Sequence, residues 1–267
     1  VLLSRIRHRR PEVQIIALSA TVGNSEEMAE WLDAELIVSD WRPVTLRYGT
    51  LTGLDVRVHR VDGSGGEELP EPRSIEGKST RALQAVLEDT VREGGQLLIF
   101  VSSRASAQKE ARELSKHVRK RVVEGSEAFD GDSAEQWGAI ADRLAVRDDA
   151  SMVVKSLATA VTGGVAFHHA GLTSGQRSLI EESFREGRLL CVVATPTLAQ
   201  GVNLPARRVV VRDLRRWSTA AGRAMPLPVM EVRQMMGRAG RPNYDDAGDA
   251  WLLAKSSEEE ADLVDLY

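Results

Sequence analysis

The residues best suited to chemistry lie late in the chain, in the run Gln234-Met235-Met236-Gly237-Arg238-Ala239-Gly240-Arg241-Pro242. Read as one helix, this run puts Gln234, Arg238 and Arg241 at i, i+4 and i+7 on one face, with Val232, Met235 and Ala239 on another. Two guanidinium groups then converge, and their fixed forks suit the oxygens of a phosphate. Gly237 and Gly240 remove side chains beside them, so that a second body can come close. The bland alternative is a surface helix whose arginines pair with Glu231 or Asp245.

In an open parallel sheet ligands gather at the carboxyl ends of strands, and the loops after several apolar runs carry polar groups. Ser19-Ala20-Thr21 offers two hydroxyls, which equally suit a helix-capping turn. Ser102-Ser103-Arg104, after LLIFV, can hold a phosphate or cap the next helix. In Phe167-His168-His169-Ala170-Gly171-Leu172 no metal site is expected, because adjacent histidines point apart and no Cys or carboxylate follows at ligand spacing. The long loop from Ala194 to Pro205 holds Thr195, Thr197, Gly201 and Asn203, polar groups beside a core strand that need partners. Gly77-Lys78-Ser79 imitates the end of a phosphate-binding loop, but Pro72 stands where that loop needs Gly and no apolar strand precedes it.

These groups need a scaffold, and the apolar pattern supplies one. Val13 to Leu18 reads as a buried strand, followed by a helix from Ser25 through Met28, Ala29 and Leu32. Val44 to Leu51 and Val56 to Val61, around Gly53, predict a hairpin, and residues 62–78 an exposed loop. Leu83, Val86, Leu87 and Val91 mark a helix before the strand Gln96 to Val101. A long helix carries Ala107, Ala111, Leu114 and Val118, and another surrounds Trp137, Ile140 and Leu144 before the strand Gly164 to Phe167. Thr173 and Gln176 have capping-box spacing ahead of a helix with Leu179, Ile180 and Phe184. Strands at Leu189 to Ala194, Arg208 to Val211 and Ala250 to Ala254, and a helix over Val229 to Met236, complete the series. Short runs buried on both faces and separated by helices argue for an α/β fold, a parallel sheet flanked by helices.

Composition removes other classes. With 42% hydrophobic and 28% charged residues the chain is an ordinary globular one, neither disordered nor fibrous. No apolar run approaches the roughly 20 residues that cross a bilayer, and the first residues lack the order of a signal peptide, so a cytoplasmic protein is expected. The single cysteine, Cys191 in LLCVVAT, reads as a buried small hydrophobe and rules out a disulfide framework. A net charge of -4 argues against coating nucleic acid by bulk electrostatics and leaves room for a local basic track. The clusters Arg5, Arg7, Arg9, Arg10 and Arg119, Lys120, Arg121 read as solvated surface. A third, Arg207, Arg208, Arg212, Arg215 and Arg216, stays open.

In their order along the chain these motifs resemble those of superfamily two helicases. Ser19-Ala20-Thr21 looks like motif III, LLIFVSSR like motif IV, VVATPTLAQGVNLP like motif V and QMMGRAGRP like motif VI. SDWRPV, VAFHHAGL, GVNLPARRVVVRD and MMGRAGRP narrow the resemblance to the Ski-two-like branch and the archaeal fork-repair DNA helicases, relatives of the polymerase theta helicase domain. The resemblance covers essentially the whole chain. It implies a RecA-like sheet of the P-loop NTPase fold, with residues 1–41 the tail of a first, ATP-binding domain and 42–267 a complete second one. It implies that Arg238 and Arg241 are arginine fingers for the γ-phosphate of ATP, with Gln234 orienting the phosphate or attacking water. By the same resemblance Gly201 and Asn203 line the nucleotide cleft, while Thr195, Thr197, Ser102, Arg104 and His169 face the tracking strand. Ser19 and Thr21 link the two.

ATP and Mg2+ would be held mainly by a Walker A lysine and an acidic motif that this sequence does not contain, so these residues alone are expected to turn over little ATP. The implied protein is a monomeric 3′ to 5′ motor on single-stranded or forked DNA that serves repair of stalled forks. Two alternatives are an RNA helicase of the same branch and a non-enzymatic RecA-like module that binds nucleic acid or protein.

Overall fold

A computed structural model describes residues 2–10, 12–18, 24–39, 41–63, 68–129, 133–145, 151–219 and 221–267. The chain divides into two units, Val1–Ser39 and Asp40–Tyr267. The first holds helices α1 (Leu2–Arg9) and α2 (Ser25–Leu32). Helix α2 ends on Asp33, whose left-handed φ of 53° lets the chain turn back so that Ala34 N–H reaches the Ala29 carbonyl at 3.0 Å.

The strand expected over Val13 to Leu18 does not form. Its residues take no regular structure and are mostly exposed, Leu18 to 93%. A strand is half of a ladder, and among the described residues no strand of this unit pairs with the segment, whose Val13 N–H turns back to the Arg10 carbonyl at 3.1 Å. Ser19, Ala20 and Thr21 lie outside the described residues.

The second unit is built on an eight-stranded sheet. In chain order its strands are β1 (Thr45–Thr52), β2 (Asp55–Asp62), β3 (Arg73–Ser74), β4 (Leu97–Phe100), β5 (Val165–His168), β6 (Cys191–Ala194), β7 (Arg208–Val211) and, after a separate hairpin of β8 (Arg215–Ser218) and β9 (Arg223–Pro226), β10 (Ala247–Ala254). The spatial order is β3-β2-β1-β10-β7-β4-β6-β5. The six strands from β1 to β5 in that order run parallel. β2 and β3 extend the edge antiparallel, through the hairpin expected at Gly53, whose φ is +64°. The sheet is therefore mostly parallel, with an antiparallel margin.

Helices flank it: α3 (Ala82–Arg92), α4 (Arg104–Val123), α5 (Ser133–Ala145), α6 (Met152–Val161), α7 (Ser174–Arg185), the short α8 (Thr197–Gly201), α9 (Val229–Met236) and α10 (Ser257–Leu266). Strands β4 to β7 are buried along their whole length, the mark of a sheet covered on both faces. Helix α4 buries Ala107, Ala111, Leu114 and Val118, one stripe of a 3.6-residue period. Thr173 and Gln176 close the expected capping box at α7, and the Ser103 side chain caps α4. Helices α6 and α10 and the β8–β9 hairpin were not expected, and the Ala194–Pro205 loop contains a short helix. Cys191 is buried, and that burial pushes its thiol well above the ordinary range.

Much of the third basic cluster is consumed by the fold. Arg208, fully buried, donates to Asp89 at 2.7 Å and to Glu93 at 3.1 Å, lies 3.5 Å from Asp249, and stacks 4.2 Å from the centre of the Trp251 ring. Arg207 bonds Asp249 at 3.0 Å, Arg212 bonds Glu110 at 2.7 Å, and Arg216 bonds Glu231 at 3.0 Å. Burial raises the Asp89 carboxyl, but hydrogen bonds from Arg73 and the charges of Arg208 and Arg73 outweigh it and hold the group below its usual range. Among the described residues no helix is long and apolar enough to cross a membrane.

Candidate functional site

Helix α9 packs Val232, Met235 and Met236 into the core and stops at Met236, so Arg238 and Arg241 lie beyond it rather than on a continued helical face. Two strand-like bonds redirect the chain: Ala206 N–H donates to the Arg238 carbonyl at 2.9 Å, and Gly240 N–H to the Ala206 carbonyl at 2.7 Å. Gly240 sits at φ +89°, where a Cβ would fall 2.7 Å from Cγ1 of Val44. Its missing side chain serves close packing inside this unit, against Val44 and Gly248, rather than the approach of a second body.

The two arginines end in different surroundings. Arg238 is half-buried and donates through Nη1 to Asn203 Oδ1 at 3.3 Å and through Nη2 to the Ala199 carbonyl. Both acceptors are neutral, and among the described residues no carboxylate pairs with it. Loss of water lowers its pKa from the ordinary arginine value, although the group keeps its charge at any physiological pH. Arg241 instead forms a two-pronged pair with Asp245 at 2.9 and 2.8 Å. The alternative pairing considered for these arginines is thus realised by Arg241 with Asp245, while Glu231 goes to Arg216. Gln234, partly buried on α9, makes no side-chain hydrogen bond among the described residues. Gly201 ends α8, between Ala199 and Asn203, the two residues that Arg238 touches.

A second group of candidates lies at the carboxyl ends of the neighbouring strands β4, β6 and β5. The Ser102 hydroxyl donates to Asp213 at 3.1 Å and its backbone N–H to the same oxygen at 2.9 Å. Thr195, buried, has its hydroxyl 3.0 Å from that of exposed Thr197. His169 stacks on Phe167 at 5.3 Å, faces the Gln108 amide at 3.1 Å through Nε2 and accepts the Gly171 N–H at 3.1 Å through Nδ1. Burial, and then the charge of Arg104, hold its pKa below the ordinary value, so the ring is neutral. Arg104 is exposed and makes no hydrogen bond or ion pair with the described residues. Among the described residues the edge thus presents Arg104 as a free cation and the Thr197 hydroxyl, supported by Ser102, Thr195 and His169, whose polar atoms bond within the fold. His168 turns the other way, to Glu181 at 2.8 Å, so the adjacent rings diverge. Among the described residues no cluster of three or more His, Cys, Asp or Glu could hold a metal.

A mostly parallel sheet flanked by helices on this plan is the architecture of a RecA-like domain. The family model of the helicase conserved C-terminal domain matches residues 144–243. The chain is 38% identical over its whole length to the ATP-dependent DNA helicase Hel308 of Methanocella arvoryzae, of which it covers 34%. It is 38% identical to that of Caldivirga maquilingensis, covering 33% of it, and over 95% of its length 41% identical to that of Pyrococcus abyssi, covering 32%. The chain therefore spans about a third of the length of these relatives. Over its whole length the chain is thus similar to a segment of these Hel308 proteins, and residues 144–243 within it match a helicase conserved C-terminal domain.

Proposed function

We propose that residues 42–267 are the second motor domain of an ATP-dependent DNA helicase and that Arg238 is its arginine finger. The junction falls near Trp41 to Pro43, with residues 1–41 the tail of the first domain and 42–267 the second. The observation that carries this reading is the charge of Arg238: half-buried and, among the described residues, hydrogen-bonded to neutral oxygens only and without a carboxylate. Holding a partly desolvated cation without a counter-ion is costly, and an arriving phosphate relieves that cost.

ATP with Mg2+, held mainly by residues outside this chain, supplies the phosphoryl group that is transferred to water. This chain's residues contribute charge and position. Arg238 neutralises charge on the γ-phosphate, Gln234 orients phosphate or water, and Asn203 with Gly201 shapes the wall from which Arg238 reaches out. Phosphoryl transfer depends chiefly on such positioning and neutralisation, and an arginine finger contributes on the order of 10³ to 10⁵ in rate. Arg104 and Thr197 would grip the phosphates of the tracking strand, with Ser102, Thr195 and His169 shaping the same edge and Ser19 and Thr21 coupling it to the nucleotide. Alternating closure and reopening of two strand-gripping domains turns hydrolysis into 3′ to 5′ stepping. The substrate class is single-stranded or forked DNA, as the names of the relatives suggest, and the work is that of a monomeric cytoplasmic motor in fork repair.

Arg238→Ala in the intact protein tests the reading. Nucleotide binding should persist while strand-stimulated ATP turnover falls by about 10³ or more. A module that only binds nucleic acid or protein would show no dependence of turnover on Arg238.

A further inference from the structure

The connector between β7 and β8 is three residues long, Arg212-Asp213-Leu214, and each of them is tied to another element. The Arg212 N–H continues the ladder, donating to the Phe100 carbonyl at 2.9 Å, and its guanidinium reaches Glu110 on α4 at 2.7 Å. The next rung would take the Ser102 N–H, and the Asp213 carboxylate takes it instead. One oxygen, Oδ2, accepts the Ser102 N–H at 2.9 Å and the Ser102 hydroxyl at 3.1 Å. Both oxygens also accept from the Arg212 guanidinium, at 2.8 and 2.9 Å. The Leu214 carbonyl takes the Leu227 N–H at 2.9 Å, which closes the base of the β8–β9 hairpin. Burial raises the Asp213 carboxyl, but the bonds from Arg212 and from the Ser102 N–H outweigh it and keep the group charged.

What hangs on this connector is the carboxyl edge of the sheet. Ser102 and Ser103 form the turn from β4 into α4, the Ser103 hydroxyl accepts the Ser106 N–H at 3.1 Å as the helix cap, and Arg104 is the first helical residue. Arg104 is exposed, and its guanidinium passes over Gly171, where an added Cβ would lie 3.5 Å from Nη1. Asp213 fixes the start of that turn, and Arg212 fixes Glu110, less than two turns along the same helix. The direction in which Arg104 leaves the sheet is thus set from both sides by one connector. Asp213 is itself an anion beside an edge read as gripping phosphates, so its charge and its hydrogen bonds act on strand binding in opposite directions.

We infer that Asp213 is a positioning residue for strand binding: by holding Ser102 it aims Arg104 at the phosphates of the tracking strand, and it favours binding although it carries the strand's own sign of charge. The inference rests on the reading of Arg104 given above. Without the carboxylate, the Ser102 N–H and the Arg212 guanidinium lose a shared acceptor, and the turn that carries Arg104 is released.

The test uses the intact helicase and compares Asp213→Ala, Asp213→Asn, Arg104→Ala and the variant carrying both alanines. Each is titrated with a single strand at several salt concentrations and assayed for strand-stimulated ATP turnover. Positioning predicts that Asp213→Ala weakens strand binding by about 5- to 10-fold and reduces the slope of log affinity against log salt by about 1, as one phosphate contact is lost. The strand concentration for half-maximal turnover should rise by a similar factor while kcat at saturating strand stays within about twofold of the parent, a split that general loss of folding does not produce. The variant with both alanines should bind no worse than the poorer single variant, because both remove one contact. Asp213→Asn keeps an oxygen for the Ser102 N–H and should weaken binding by about threefold, which decides the matter where Asp213→Ala does not fold. Two results would overturn the inference. One is binding that is unchanged or tighter in the Asp213 variants, the outcome of merely deleting a negative charge. The other is a pair of losses that multiply in the variant with both alanines, since Asp213 would then act without Arg104. Arg104→Ala separates the two claims: full strand binding there removes the grip itself and leaves Asp213 nothing to aim, whereas weakened binding there beside undiminished binding in the Asp213 variants removes the positioning alone.

Discussion

Arg208 and Arg238 are both drawn out of bulk water, and the fold treats them in opposite ways. Arg208 is surrounded by Asp89, Glu93 and Asp249 and lies over the Trp251 ring, so its charge is balanced several times over. Among the described residues Arg238 has only an asparagine oxygen and a main-chain carbonyl. The difference teaches that an arginine's chemistry follows from its compensation: a balanced guanidinium fastens strands and helices, while an unbalanced one waits for an anion.

Exchanging the roles gives the largest expected effect. Arg208→Met should lower stability by about 3 kcal/mol, because it leaves three carboxylates without their common partner, with turnover per folded molecule preserved. Chemical denaturation of this chain reads the first quantity, and an equal stability loss in Arg238→Ala would erase the contrast. Arg104→Ala comes next. It should weaken single-strand binding whatever the sequence and reduce the slope of log affinity against log salt by about 1, in a titration of the intact protein at several salt concentrations.

A smaller effect is expected from pH. Burial, only partly offset by the bond to Glu181, holds the His168 pKa below its ordinary value, so the unfolded chain takes up a proton that the folded chain resists. The corresponding stability is full above about pH 6.5 and is lost as pH falls from there through the folded pKa. A second decline should begin below about pH 3.9, where the unfolded chain takes up protons on Asp89 and Asp213, and continue as pH falls through their folded pKa values, which lie below the usual range. Melting temperature against pH checks both, and His168→Gln should reduce only the upper decline, to which His59 and His169, also lowered chiefly by burial, contribute the rest. Thr173→Ala should have the smallest effect, about 0.5 to 1 kcal/mol through loss of the α7 cap, with strand binding and turnover unchanged.

The sheet was legible in advance where burial leaves a local mark. Leu97–Phe100, Val165–His168, Cys191–Ala194 and Arg208–Val211 are short apolar runs because both faces are covered, and Gly53 marks the hairpin because its φ is positive. What failed depended on partners distant in sequence. Val13 to Leu18 has strand composition but joins no ladder among the described residues, and β8 and β9 carry mostly exposed residues without an apolar alternation to announce them. Helical periodicity carried Gln234, Arg238 and Arg241 onto one face, but the bonds at Ala206 end that helix at Met236. The site residues were visible as types. Which arginine is free was not, because Arg208 finds Glu93 at a separation of 115 residues and Arg241 finds Gln96 at 145.

The central claim is that the uncompensated charge of Arg238 meets the phosphoryl group at the moment of transfer. The most direct test is the affinity of the intact helicase, with a bound strand, for ADP with a metal fluoride that imitates the transferring phosphoryl group, compared with ADP alone. The account predicts that the extra affinity for the imitation disappears in Arg238→Ala while ADP binding is kept. Extra affinity of undiminished size in that variant would contradict it.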